Sequence, residues 1–150
     1  MARLIFTVAL AAFAFTSTSN AQTNSKTDEA ADDTGVSPVY SMHAFELRDG
    51  VEAEKFEAFV IEEFAKVFAK PSHGVRPFVV KGDRGKAKGE YKLVTSFASK
   101  KIRDKYFPVE GGEPSKALAE DATPTQRKTI EKLGTFVSFV EYTDFVVLDE

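Results

Sequence analysis

Residues 39–70 read VYSMHAFELRDGVEAEKFEAFVIEEFAKVFAK, and this stretch decides the fold. The first nine residues, Val39–Leu47, are rich in β-branched and aromatic types and predict a strand ending at the Asp49-Gly50 turn. From Val51 to Lys70 the period changes. Phe56, Phe59, Val60, Phe64, Val67 and Phe68 recur at three- and four-residue steps, with Glu52, Glu54, Lys55, Glu62, Glu63 and Lys66 between them. That is an amphipathic helix, stopped by Pro71.

Downstream, Val75–Lys81 predicts a second strand. Pro77 inside it has no N–H to give, which places this strand at a sheet edge or starts it after the proline. The glycine-rich turn 82–89 and a returning strand from Glu90 to Phe97 complete a hairpin. Ser99 is positioned to cap a short helix through Tyr106, which Phe107-Pro108 breaks. An insertion at 107–122 holds a short helical stretch from Lys116 to Glu120. Thr123-Pro124-Thr125-Gln126 then opens a helix with a capping box, expected to run to Leu133 and stop at Gly134. The last strand is expected over 141–148. The order β-α-β-β-α-β predicts an α+β, ferredoxin-like antiparallel sheet with helices on one face and an insertion in the second crossover.

The first and last strands of this pattern carry apolar groups on both parities. Val39, Phe45 and Leu47 alternate with Tyr40, Met42 and Ala44; Phe145 and Val147 alternate with Tyr142, Val146 and Leu148. A sheet with one solvated face alternates cleanly. Two helices cover one face, so the other needs a cover, and a homodimer is expected.

The N-terminus has a different character. Arg3, the apolar run Leu4–Phe15 and the small residues ending at Ala21 form the pattern of a signal peptide over 1–21, cleaved after Ala21. The run is about a dozen residues, short of the roughly 20 that span a bilayer. Residues 22–38 have no aromatic group and too little to bury, which predicts a disordered linker before a single folded domain at 39–150. The expected location is periplasmic or secreted, with no membrane attachment after cleavage. Cysteine is absent, which removes disulfides, thiolate metal sites and a cysteine nucleophile. A net charge of −3 with no basic tract gives no reason to expect a nucleic-acid partner.

Over about residues 39–148 the chain resembles the dimeric α+β barrel superfamily. The resemblance rests on His43-Ala44-Phe45-Glu46-Leu47-Arg48-Asp49-Gly50, the phenylalanine-rich helix, the hairpin and the late Tyr142-Thr143-Asp144-Phe145 strand. It extends to antibiotic-biosynthesis-type monooxygenases, haem-degrading and chlorite-dismutase-like proteins and stress-responsive domains, without singling out one. It implies two ferredoxin-like units closed into a barrel through their open sheet faces. The insertion at 107–122 departs from the compact form. The fold hosts many activities, so it does not assign one.

Among polar residues His43 stands first, because a neutral imidazole inside a half-buried strand can orient a ligand or accept a proton. Asp144, in an apolar strand, needs a partner, and Arg76 or His43 across the sheet is the expected one. These two, His43 and Asp144, are the candidate catalytic pair. Arg76, Tyr91 and Tyr142 are the candidate ligand contacts, and Tyr106 is expected to point into the core. Gly82-Asp83-Arg84-Gly85 lies between strands and reads as a solvated turn; His73 reads as surface. The two histidines are 30 residues apart and form no metal-binding spacing, so neither metal nor cofactor is expected, with haem ligation left open. No GxSxG elbow or nucleotide fingerprint occurs. The expected function is binding of a small, apolar molecule by an exported dimeric domain. The alternatives are a cofactor-independent monooxygenase-like enzyme acting on an apolar or aromatic substrate, and a domain serving assembly alone.

Overall fold

The computed structural model describes residues 37–110 and 112–148, so the expected signal peptide and all but the end of the expected linker lie outside the described residues. In chain order the elements are β1 (Val39–Leu47), α1 (Ala53–Phe59), a π-helical turn (Val60–Phe64), α2 (Ala65–Val67), β2 (Val75–Lys81), β3 (Tyr91–Phe97), α3 (Lys100–Tyr106), α4 (Lys116–Asp121), α5 (Pro124–Phe136) and β4 (Val137–Val146). The strands form one antiparallel sheet in the order β2-β3-β1-β4. This is the ferredoxin-like α+β fold. β1 and β3 are central, and β2 is at an edge, where the missing N–H of Pro77 costs least.

The long first helix is not uniform. Phe59 and Phe64 are five residues apart, a step that ordinary α-helical winding would carry off the buried face. The π turn over Val60–Phe64 absorbs the extra residue, and Phe56, Phe59, Phe64 and Phe68 all reach the core. Ser99 caps α3 by accepting the Ile102 N–H, and Thr123 and Gln126 exchange both bonds of a capping box at α5.

Two boundaries differ from the sequence pattern. α5 continues through Gly134 to Phe136, and β4 starts directly at Val137 and ends at Val146 rather than spanning 141–148. Arg48 explains both. Its Nε donates to the carbonyls of Gly134 (3.0 Å) and Val137 (2.9 Å), and its own backbone N–H donates to Phe136. The guanidinium thus satisfies carbonyls that a glycine stop would otherwise have to turn aside, and Val137 enters the ladder opposite Leu47. A bulge at Val140 then shifts the register.

Opposed residues of antiparallel strands share a face. The helix-covered face holds Val39, Ser41, His43 and Phe45 of β1, Phe97, Thr95, Leu93 and Tyr91 of β3, and Val146, Asp144, Tyr142 and Phe139 of β4. Its core falls into two clusters. Phe45, Phe56, Phe59, Phe64, Phe68, Leu93, Leu133 and Val137 make the larger, and Val39, Phe97 and Tyr106 the smaller. Each fully buried phenylalanine contributes on the order of 2 kcal/mol. Ala117 and Leu118 of the insertion pack on the smaller cluster, so the insertion lies on the helix side. The opposite face carries Tyr40, Met42, Phe78, Val80, Val94 and Phe145, of which Val80 and Phe145 at the corners are exposed and Val94 at the centre is buried.

Candidate functional site

Along β1 the helix-side residues run apolar, polar, polar, apolar: Val39, Ser41, His43, Phe45. The two polar members stand between the two core clusters. Thr95 and Asp144 flank Ser41 on the neighbouring strands, and Leu93 and Tyr142 flank His43. The sheet therefore places a polar row across the middle of an otherwise oily face.

Asp144 is engaged on both oxygens. Ser41 Oγ donates to Oδ1, and Arg103 Nη1 of α3 donates to Oδ2 at 3.0 Å. Arg103 also pairs with Asp104 at 2.8 Å. The Arg103–Asp144 pair is largely withdrawn from water, with side-chain exposures of 20% and 26%. It ties α3 to the sheet at the row where hydrophobic packing is missing.

His43 is different. Its ring stacks on Tyr142 (centroids 5.4 Å apart, 20° between planes) and meets the edge of Phe139 at 5.9 Å. Neither ring nitrogen makes a hydrogen bond among the described residues, yet no side-chain nitrogen or oxygen there is sealed away without a partner. The His43 nitrogens therefore reach solvent. Burial lowers its pKa below the ordinary 6.5, while the charge of nearby Asp144 pulls the other way. At neutral pH the group is an uncharged imidazole, able to accept one hydrogen bond and donate another.

The expected site residues separate into three places. His43, Tyr142 and Asp144 share the helix-side face on adjacent strands, although the aspartate bonds Ser41 and Arg103 rather than the histidine. Tyr91 lies on the same face beyond Phe45, where its hydroxyl donates to Glu57 beside Lys81. Burial first, then that bond, raises the Tyr91 pKa. Arg76 is on the opposite face, its guanidinium 5.7 Å from the Phe78 ring, and so cannot partner Asp144. The reason is parity: Arg76 opposes Ser96, which opposes Tyr40, one residue out of step with Ser41. Tyr106 is buried and donates its hydroxyl to Asp121, and His73 is an exposed loop residue at φ 50°. Gly82-Asp83-Arg84-Gly85 forms the hairpin turn with Asp83 and Arg84 in solvent. The partner of Asp144 is Arg103 rather than the expected Arg76 or His43, a pairing that sequence patterning did not make.

Surface shape and reactive chemistry do not coincide. One groove of about 320 Å³ opens on the face opposite the helices beside Tyr40, Arg76, Phe78 and Ser96, and another of about 180 Å³ lies between α1 and β2. Neither contains His43. The chemistry is the better guide, because both grooves are shallow and His43 is a half-buried imidazole with neither nitrogen bonded among the described residues. Among the described residues no three His, Asp or Glu side chains are grouped to hold a metal.

No protein-family model matches the chain, and no curated protein matches it. Solved structures do. One is a dimeric protein of unknown function and ferredoxin-like fold from Bacteroides fragilis, at 13% identity and a TM-score of 0.47, covering 73% of this chain and 96% of that one. Another is SnoaB, a cofactor-independent oxygenase from Streptomyces nogalater, at 16% identity and 0.45, covering 76% and 96%. A third is a NIPSNAP-like domain protein from Burkholderia xenovorans, at 14% and 0.45, covering 75% and 85%. The likeness is in the path of the chain, and no residue role is carried across from it.

Proposed function

We propose that this domain is an exported homodimer that binds a small, largely apolar molecule at His43. The observation that carries the reading is the state of that side chain: neutral, free of hydrogen bonds, and set between aromatic rings where a ligand with one polar group would find both a donor and an acceptor. Tyr142 covers the imidazole from an edge strand and is 37% exposed, so its ring lies on the side from which a ligand would approach. Export is supported by the leader-like pattern of residues 1–21. Dimerisation is supported by apolar residues exposed on the face opposite the helices, where Phe145 is 50% and Val80 39% exposed.

The test is native mass spectrometry of the chain recovered from an exported fraction, with N-terminal sequencing of the same material. A start at or near Gln22, a mass of two chains, and a co-purifying small molecule lost in His43→Ala would support all three parts. A retained Met1, a single-chain mass, or a ligand retained in His43→Ala would sink the corresponding part.

A second reading makes His43 the general base of a cofactor-independent, monooxygenase-like enzyme. The lowered pKa favours it, since an unprotonated imidazole is present at neutral pH to take a proton from a substrate. Oxygen uptake with phenolic and quinol substrates tests it; turnover equal in wild type and His43→Ala would remove the reading.

A further inference from the structure

The groove of about 320 Å³ on the face opposite the helices gathers polar groups that the fold leaves unused. In the register of the sheet Arg76, Ser96 and Tyr40 stand side by side on β2, β3 and β1, one row across three strands. Neighbouring strands are about 4.8 Å apart, so a guanidinium, a hydroxyl and a phenol border one groove within about 10 Å of sheet. Among the described residues none of these three side chains makes a hydrogen bond or an ion pair. The acidic strand residues of this face, Glu46 and Glu141, lie toward its other end. The charge of Arg76 is therefore uncompensated at the groove.

The cation and the rim are both held in place. The Arg76 guanidinium lies 5.7 Å from the centre of the Phe78 ring. A guanidinium set against an aromatic ring keeps in-plane N–H donors for an anion. At the rim, Ser72 and Val75 exchange backbone bonds of 2.9 Å each, and the Ala98 N–H donates to the Gly74 carbonyl at 2.8 Å. Gly74 has a φ of 76°, and a Cβ there would lie 2.6 Å from Ile102 Cδ1. Glycine thus seats the turn against α3, and Pro71, Gly74 and Ala98 complete the lining. A site whose walls are fixed beforehand loses little to ordering when a ligand enters.

We propose that this groove is a second binding site, separate from His43, for a small aromatic monocarboxylate. One cation with no acid beside it selects a single negative charge. The planar fork of a guanidinium matches a carboxylate through two parallel N–H bonds. The Ser96 and Tyr40 hydroxyls supply donors for the lone pairs that remain. Phe78 and Pro71 give the groove flat apolar surface, which suits a ring. At about 320 Å³ it stands at the low end of the roughly 300–1,000 Å³ of ligand pockets, which limits the guest to about one ring. Arg76 and His43 are on opposite faces of the sheet, so this site neither rests on the His43 reading nor falls with it.

The experiment titrates the isotope-labelled full chain with benzoate, benzyl alcohol and acetate, following backbone and arginine side-chain N–H resonances by NMR. Benzoate should shift the Arg76 Nε–H, Ser96 and Phe78 with a dissociation constant on the order of 1 mM or tighter, as a small ligand in an open groove allows. Benzyl alcohol lacks the charge and acetate lacks the ring, and each should bind at least about tenfold more weakly. Arg76→Met should abolish the benzoate shifts at Ser96, and Ser96→Ala should weaken binding several-fold, both with an unchanged melting profile. His43→Ala should leave benzoate binding as it is in wild type. No shift at Ser96 and Phe78 up to about 10 mM benzoate, or equal binding in Arg76→Met, would overturn the site. Benzyl alcohol or acetate binding as tightly as benzoate would overturn the ligand class. Shifts at Tyr142 and Phe139 that His43→Ala removes and Arg76→Met retains would place benzoate at His43, overturning this groove while supporting the reading above.

Discussion

Asp144 and His43 occupy the same face of the sheet on adjacent strands, and the carboxylate turns away from the imidazole to Ser41 and Arg103. The histidine therefore feels the aspartate only as a charge at a distance. That charge keeps the imidazole from falling further below its ordinary pKa, and it leaves the ring without a fixed tautomer. Among the described residues none holds the proton on one nitrogen rather than the other.

The first prediction follows from that arrangement. Asp144→Asn removes the group that raises the His43 pKa while burial, which lowers it, remains. The His43 titration, followed by NMR of its ring protons, should shift to lower pH in the variant. An upward shift would mean that the aspartate is not the charge the imidazole senses.

The same residue gives the domain a pH dependence of known sign. The folded pKa of His43 is depressed, so below the unfolded value near 6.5 the unfolded chain binds the extra proton first. Stability should be unaffected by this group above 6.5, fall as pH drops below it, and level off once pH passes the folded pKa. Urea melts of wild type and His43→Gln across this window measure the difference; parallel pH profiles would contradict it.

Removing Arg103 should cost more than removing its charge partner. Arg103→Met leaves a largely buried carboxylate without its cation, at about 1–3 kcal/mol. Asp144→Asn still accepts from Ser41 and relieves the pairing requirement. The double variant should therefore be more stable than the sum of the two losses, a coupling that chemical denaturation of all four proteins reads directly.

Arg48 closes the end of α5 and starts β4. Arg48→Met should destabilise by about 1–2 kcal/mol through the loss of hydrogen bonds to the Gly134 and Val137 carbonyls. Amide exchange should quicken first at the α5–β4 junction. Uniform quickening over the whole sheet would show that Arg48 has no local role there.

Gly82 offers a steric test of the hairpin. A Cβ added there would lie 1.8 Å from the Ala87 carbonyl oxygen, which is backbone and cannot swing away. Gly82→Ala should lower the melting temperature, whereas Lys86→Ala in the same exposed turn should leave it within the ordinary surface range. Equal melts for the two would refute the contact.

Periodicity and punctuation were enough to place the first three strands and the principal helices, and the last strand in part, because both are local properties. The phenylalanine spacing marked the buried side of the first helix, Pro77 marked the sheet edge, and Ser99 and Thr123 marked helix starts with the bonds the structure contains. Strand parity likewise put His43, Tyr142 and Asp144 on one face. What the chain could not show locally was which polar groups would find each other. Ser41 and Asp144 are 103 residues apart, and Arg103 and Asp144 are 41 apart, so their pairing depends on where α3 lands on the sheet. The same holds for Arg48 at the end of α5, 86 residues away, which overrode the stop signal at Gly134. Hydrophobic patterning is repeated over many residues and survives small shifts, whereas a single hydrogen bond is met or missed within an ångström. Its partners exist only once the helices have packed.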